Sequence, residues 1–172
     1  MTKNIKTYIF CYDDFRSFTE DVRKRFADEK RYKVLSFTTR EELIDNLTEE
    51  KEHKFCKITI LGAHDTTEQL GMLDELTRDI KQIDHSTGII ILGPPEKMDD
   101  IKQSIKFNVD AYIPKNTNSV LRIHNIVKKL LSEHNITIFR KRRNLSFYLL
   151  LTFLIACILL IIFARLKLPQ YF

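Results

Sequence analysis

The chain has 172 residues, with 28 Lys and Arg against 23 Asp and Glu, a formal net charge of +5. Six of the basic residues (Arg140, Lys141, Arg142, Arg143, Arg165 and Lys167) follow the last acidic one, Glu133, so residues 1–139 hold 22 basic and 23 acidic groups, a net of −1. That balance argues against the basic folded face that nucleic-acid binding needs, while about 135 residues are enough for one ordinary domain.

The opening MTKNIKTYIFCYDDF has no apolar core of leader length, so no secretory leader is expected. Thr7–Tyr12 is a β-rich run ending in Asp13-Asp14, and Phe15, Phe18, Val22 and Phe26 then recur at helical spacing. Tyr32–Phe37 is a second strand. Thr39 with Glu42 three residues on is a capping box, ahead of the helical face of Leu43, Ile44 and Leu47. Phe55–Leu61 is a third strand closed by Gly62, and Leu70, Leu73, Leu76 and Ile80 mark a third helix. Gly88–Leu92 is a fourth, almost wholly apolar strand closed by Gly93-Pro94-Pro95, a rigid turn, before a helix carrying Met98, Ile101 and Ile105. Ala111–Ile113 is a short fifth strand, and Val120, Ile123, Val127 and Leu130 mark a fifth helix expected to end near Glu133.

Five strand-then-helix units predict an α/β fold, a five-stranded parallel sheet with helices on both faces. Right-handed crossovers and a doubly wound order 2-1-3-4-5 are the default for five such units. Residues 145–164, LSFYLLLTFLIACILLIIFA, carry no charge. In a helix they would rise about 30 Å, the thickness of a bilayer's hydrocarbon core. Arg140, Lys141, Arg142 and Arg143 stand immediately before them, and two basic residues follow, a bias that places the N-terminal side in the cytoplasm. The expected layout is a domain over 1–134, a basic juxtamembrane linker over 135–144, a single transmembrane helix over 145–164 and a short tail over 165–172. The chain is thus expected to be tail-anchored in a bacterial inner membrane.

Known catalytic spacings are missing. The four glycines form no GxGxxG or phosphate-binding loop, and there is no GxSxG or HExxH. Cys11, Cys56 and Cys157 form no CxxC pair and read as buried small hydrophobes in a reducing compartment. His53, His64, His85, His124 and His134 show no metal-ligand spacing.

Residues 6–133 resemble the response-regulator receiver domain, a flavodoxin-like, CheY-like (βα)5 fold. Asp13 and Asp14 match the acid pair that follows the family's first strand and binds Mg2+. In Asp110-Ala111-Tyr112-Ile113-Pro114-Lys115, Lys115 matches the lysine after its fifth strand, with the proline before the lysine rather than after it. The resemblance puts Gly62 at the phosphoacceptor aspartate and Gly93 at the switch Ser or Thr. Glycine has no side chain to accept a phosphoryl group or to contact one, so a degenerate, non-enzymatic pseudo-receiver without a cofactor is implied. Asp13, Asp14 and Lys115 are then a relic polar cluster, a residual Mg2+ or anion site, or a partner-binding feature. Asp65, three residues past Gly62, is an alternative acceptor, and His64 reads as a solvated loop residue.

The expected function is a membrane-tethered protein-interaction or signalling module on the cytoplasmic face. One alternative is a structural subunit of a membrane-embedded secretion or motility machine; another is a phosphorylatable receiver with a displaced acceptor. The resemblance implies a homodimer face made by the fourth helix, fifth strand and fifth helix, with Lys102, Lys106, Phe107, Tyr112, Arg122 and Ile126.

Overall fold

The structure, a computed structural model, describes residues 7–13, 16–50, 55–63, 67–105 and 108–167, with the side chains of 16, 17, 67, 68, 141, 142, 144–146 and 163–167 not described. Among these residues five strands alternate with five α-helices: β1 (Thr7–Tyr12), α1 (Arg16–Arg25), β2 (Tyr32–Phe37), α2 (Arg40–Glu49), β3 (Cys56–Gly62), α3 (Thr67–Ile83), β4 (Gly88–Gly93), α4 (Met98–Ser104), β5 (Ala111–Pro114) and α5 (Ser119–Lys167). The strands form one parallel sheet in the order β2-β1-β3-β4-β5, as the alternation predicts.

Period-two alternation divides the core between the two faces. Phe10, Leu61, Ile89 and Ile91 meet Leu43, Leu47, Leu73, Leu76 and Ile101 from α2, α3 and α4 on one face. Ile9, Cys11, Ile58, Ile60, Ile90 and Leu92 meet Val22, Phe26, Ile123 and Val127 from α1 and α5 on the other. β3 and β4 are buried along their whole length, whereas edge strand β2 is half-covered. Thr39 caps α2, its hydroxyl accepting from the Glu42 amide at 3.3 Å. Cys11 and Cys56 are buried, and burial is the main cause that pushes each thiol up to about 12. At neutral pH both are protonated and unreactive.

At the sheet end opposite the carboxyl termini of the strands, Lys57 runs against the apolar grain of β3. Its side chain is 1 % exposed and donates to the Asp84 carboxylate at 2.9 Å. Asp84 also accepts from the amide and hydroxyl of Ser86. Lys81 donates to the Thr87 carbonyl at 2.7 Å, and the Asp110 carboxylate accepts from the Ile89 amide. These bonds hold the α3–β4 turn against the start of β4.

The chain separates into two compact units, Met1–Ser132 and Glu133–Phe172. α5 departs from expectation: it does not end near Glu133 but runs to Lys167, through the stretch read as a linker. No Gly or Pro occurs between Ser119 and Lys167 to stop it. Among the described residues no helix is long and apolar enough to cross a membrane. The described apolar side chains run only from Phe147 to Ile162, so the crossing expected over 145–164 is not met by them.

Candidate functional site

Parallel strands bring their carboxyl ends to one edge, and register decides which residues meet there. Tyr12 pairs with Leu61, Gly62 with Leu92 and Gly93 with Pro114. Asp13 after β1, Gly62 at the end of β3 and Lys115 after β5 therefore lie along one edge of the sheet, although up to 102 residues separate them in sequence. The Lys115 amide donates to the Gly93 carbonyl at 2.8 Å, which fixes the loop after β5 on the end of β4.

The Lys115 ammonium lies 2.9 Å from one oxygen of the Asp13 carboxylate and 3.2 Å from the other. The Asp13 side chain is 1 % exposed and that of Lys115 22 %. A carboxylate so deeply withdrawn from water persists only with a close cationic partner.

Gly62 has no positive φ, so its backbone does not demand glycine. Space does. A Cβ built on Gly62 would stand 2.6 Å from the Asp13 Cγ and 2.8 Å from each carboxylate oxygen. The volume into which a side chain at position 62 would project is already filled by the carboxylate of Asp13. Gly93 is hemmed in likewise: a Cβ there would run into Cδ1 of Ile101 and touch Ala63 and Met98 at 3.7 Å. The room for a hydroxyl at the end of β4 is thus taken by a buried isoleucine of α4.

Beside the Asp13–Gly62 contact opens a cavity of about 150 Å³, lined in part by Tyr12, Arg40, Met72 and Leu73. The Arg40 guanidinium at its rim is bound to Asp79 at 2.5 Å and lies 3.7 Å from Glu75. Sequence reasoning passed over Arg40, which sits in the first turn of α2 and carries no motif. Only the packing of α2 on α3 brings its partners to it.

Asp14, Asp65 and His64 lie outside the described residues, as do Lys106 and Phe107 of the expected dimer face. Of the rest of that face, Lys102 is exposed and paired with Asp99 at 3.1 Å, and Arg122 is exposed. Tyr112 is half-buried with its hydroxyl donating to the Ile105 carbonyl, and Ile126 packs on the core. Among the described residues no three acidic, His or Cys side chains gather as a metal cluster. Mg2+ takes near-octahedral oxygen ligation, usually from one or two carboxylates and several waters. Asp13 offers a carboxylate already facing an ammonium, and Gly62 offers no side-chain oxygen. The described residues do not fit that ion.

No family model matches the chain, and no curated protein matches it. Solved structures do. A receiver domain protein from Clostridium thermocellum aligns with a TM-score of 0.60 at 15 % identity, over 76 % of this chain and 98 % of its own. The fold is that of a response-regulator receiver domain. A response regulator from Thermotoga maritima gives 0.57 at 20 % identity, over 74 % and 98 %. A protein described as pilus assembly-related, from Burkholderia pseudomallei, gives 0.55 at 10 % identity, over 77 % and 93 %.

Proposed function

We infer that this chain is a receiver-like module that has given up phosphoryl chemistry and presents a fixed protein-binding surface at the cytoplasmic face of a membrane. The observation that carries the first half is the contact at Gly62. The position where receivers hold their acceptor is not merely empty of a side chain; the Asp13 carboxylate occupies its space and is tied to Lys115. The switch position is filled as well, by Ile101 against Gly93. Neither place keeps the mobile polar group through which a phosphoryl signal would travel, so the module works by presence rather than by switching.

The second half rests on the side chains of α5. Thirteen large apolar residues between Phe147 and Ile162 are 43–69 % exposed. Leaving them in water forgoes on the order of 20 kcal/mol of apolar burial, more than the whole stability of an ordinary domain. Sixteen residues rise about 24 Å, and the uncharged Leu145, Ser146, Phe163 and Ala164 of the sequence extend them to the thickness of a hydrocarbon core. Shared tethering raises the effective concentration of such modules, so even a weak contact through the α4–β5–α5 face would pair them.

The test of the first half treats the full-length protein in mild detergent with acetyl phosphate or beryllofluoride and Mg2+. Unchanged intact mass and an unchanged amide spectrum are expected. A phosphoryl adduct on Asp13, Asp14 or Asp65 would overturn the reading in favour of a displaced acceptor. A second reading, a structural subunit of a membrane machine, draws on the likeness to the pilus assembly-related protein. Detergent co-purification separates the two: a fixed stoichiometric complex favours the subunit, a lone monomer or dimer the free module.

A further inference from the structure

Immediately before the apolar stretch, α5 carries a stripe whose composition suits neither water nor hydrocarbon. Ile136, Phe139, Arg140, Arg143 and Phe147 recur at intervals of three and four and so share one helix face. Ile136 is 46 % exposed, Phe139 58 % and Phe147 62 %, and Arg140 and Arg143 are exposed between them. No acidic residue follows Glu133, so no carboxylate of this segment answers the guanidinium groups.

We propose that this stripe is an interfacial site for anionic phospholipid. Its apolar members lie among the outer acyl carbons and headgroups, and Arg140 and Arg143 bind lipid phosphates. The inference rests on the membrane reading above and goes beyond it: a span needs flanking positive charge for topology, but not an aromatic and an isoleucine in line with that charge. Guanidinium matches phosphate bidentately and is weakly hydrated, so it suits a crowded headgroup layer. Phe139 stands about 9 Å of helical rise before Leu145, at the outer rim of the headgroup layer of an upright helix. A helix leaning toward the stripe brings Phe139 inside that layer. The stripe thus also sets the direction of tilt, as interfacial anchors do.

The chain has no Trp, so Phe139→Trp gives the full-length protein a single fluorescent reporter within the stripe. The protein is reconstituted in vesicles of phosphatidylcholine alone or mixed with phosphatidylglycerol, with and without brominated acyl chains, and floated on a density gradient. Flotation with both compositions, with blue-shifted, bromine-quenched emission in the anionic vesicles that reverses at high ionic strength, is expected. Adding Arg140→Gln and Arg143→Gln should weaken surface engagement roughly fivefold per arginine. Flotation with the same emission and quenching in both compositions overturns the lipid site while leaving the membrane reading intact. Failure to float with either overturns both.

Discussion

A single contact distance gives Gly62 its meaning. Its Cβ position falls 2.6 Å from the Asp13 carboxyl carbon, so even a methyl group must push a buried ion pair aside. Gly62→Ala should therefore lower stability by about 1–3 kcal/mol in chemical denaturation, as overpacking does. Gly71→Ala is the control: it lies in α3 with nothing within 4 Å of its Cβ, and it should raise stability by about 0.5–1 kcal/mol. The carboxylate can also be moved from one strand to the other. Asp13→Gly with Gly62→Asp should be less damaging than the sum of the single changes, with a coupling of about 1 kcal/mol or more in a double-mutant cycle. Additive effects would mean that the two positions do not share one volume. The absence of side chains at 62 and 93 is written in the sequence. That a carboxylate from β1 and an isoleucine from α4 fill those places is not, because nothing in DDF or DDIKQ says how far a side chain reaches across a sheet end.

Elements were the most legible level. β1 and β2 fall where their β-rich runs begin and end, and the capping box of Thr39 and Glu42 appears as the hydrogen bond that starts α2. Thr39→Ala should cost about 1 kcal/mol, measured by thermal unfolding. Lys57 is the counterexample. Within FCKITIL a lysine reads as a solvent-facing residue, yet it is buried because Asp84, 27 residues on, reaches it from the α3–β4 turn. Burial by itself raises the pKa of Asp84. The Ser86 hydroxyl, the Lys57 ammonium and the Ser86 amide outweigh it and hold the carboxyl below its ordinary 3.8. The group is more acidic folded than unfolded, so its stabilisation is complete at neutral pH and is lost as pH falls through the folded value. Asp84→Asn should lower stability by about 3 kcal/mol at pH 7, because it strips the carboxylate from a buried ammonium. The gap between the two proteins should narrow on acidification below about pH 4 in denaturant titrations. α5 marks where pattern reading stopped short: its amphipathic repeat fades after Leu130, but helix needs no amphipathicity where no breaker interrupts it.

For the whole molecule the decisive feature is that its charge and its hydrophobicity are both displaced toward the end of the sequence. The proposed membrane reading predicts that charges in the apolar stretch, as in Leu154→Arg with Ile158→Arg, shift the full-length protein out of a carbonate-resistant membrane fraction. Each Arg near the centre of a span costs about 2.5–3.5 kcal/mol of insertion. Retention in that fraction would argue for attachment through another protein. The sequence by itself determined the alternation of strands and helices, hence a parallel sheet, because period, capping and turn residues are local properties of a chain. It also determined which groups are absent from the strand ends. Only the tertiary structure decided what stands in their place. The Asp13–Lys115 pair, the carboxylate over Gly62 and the isoleucine against Gly93 are contacts between residues brought together by strand register and helix packing, and their distances exist only once the chain has folded.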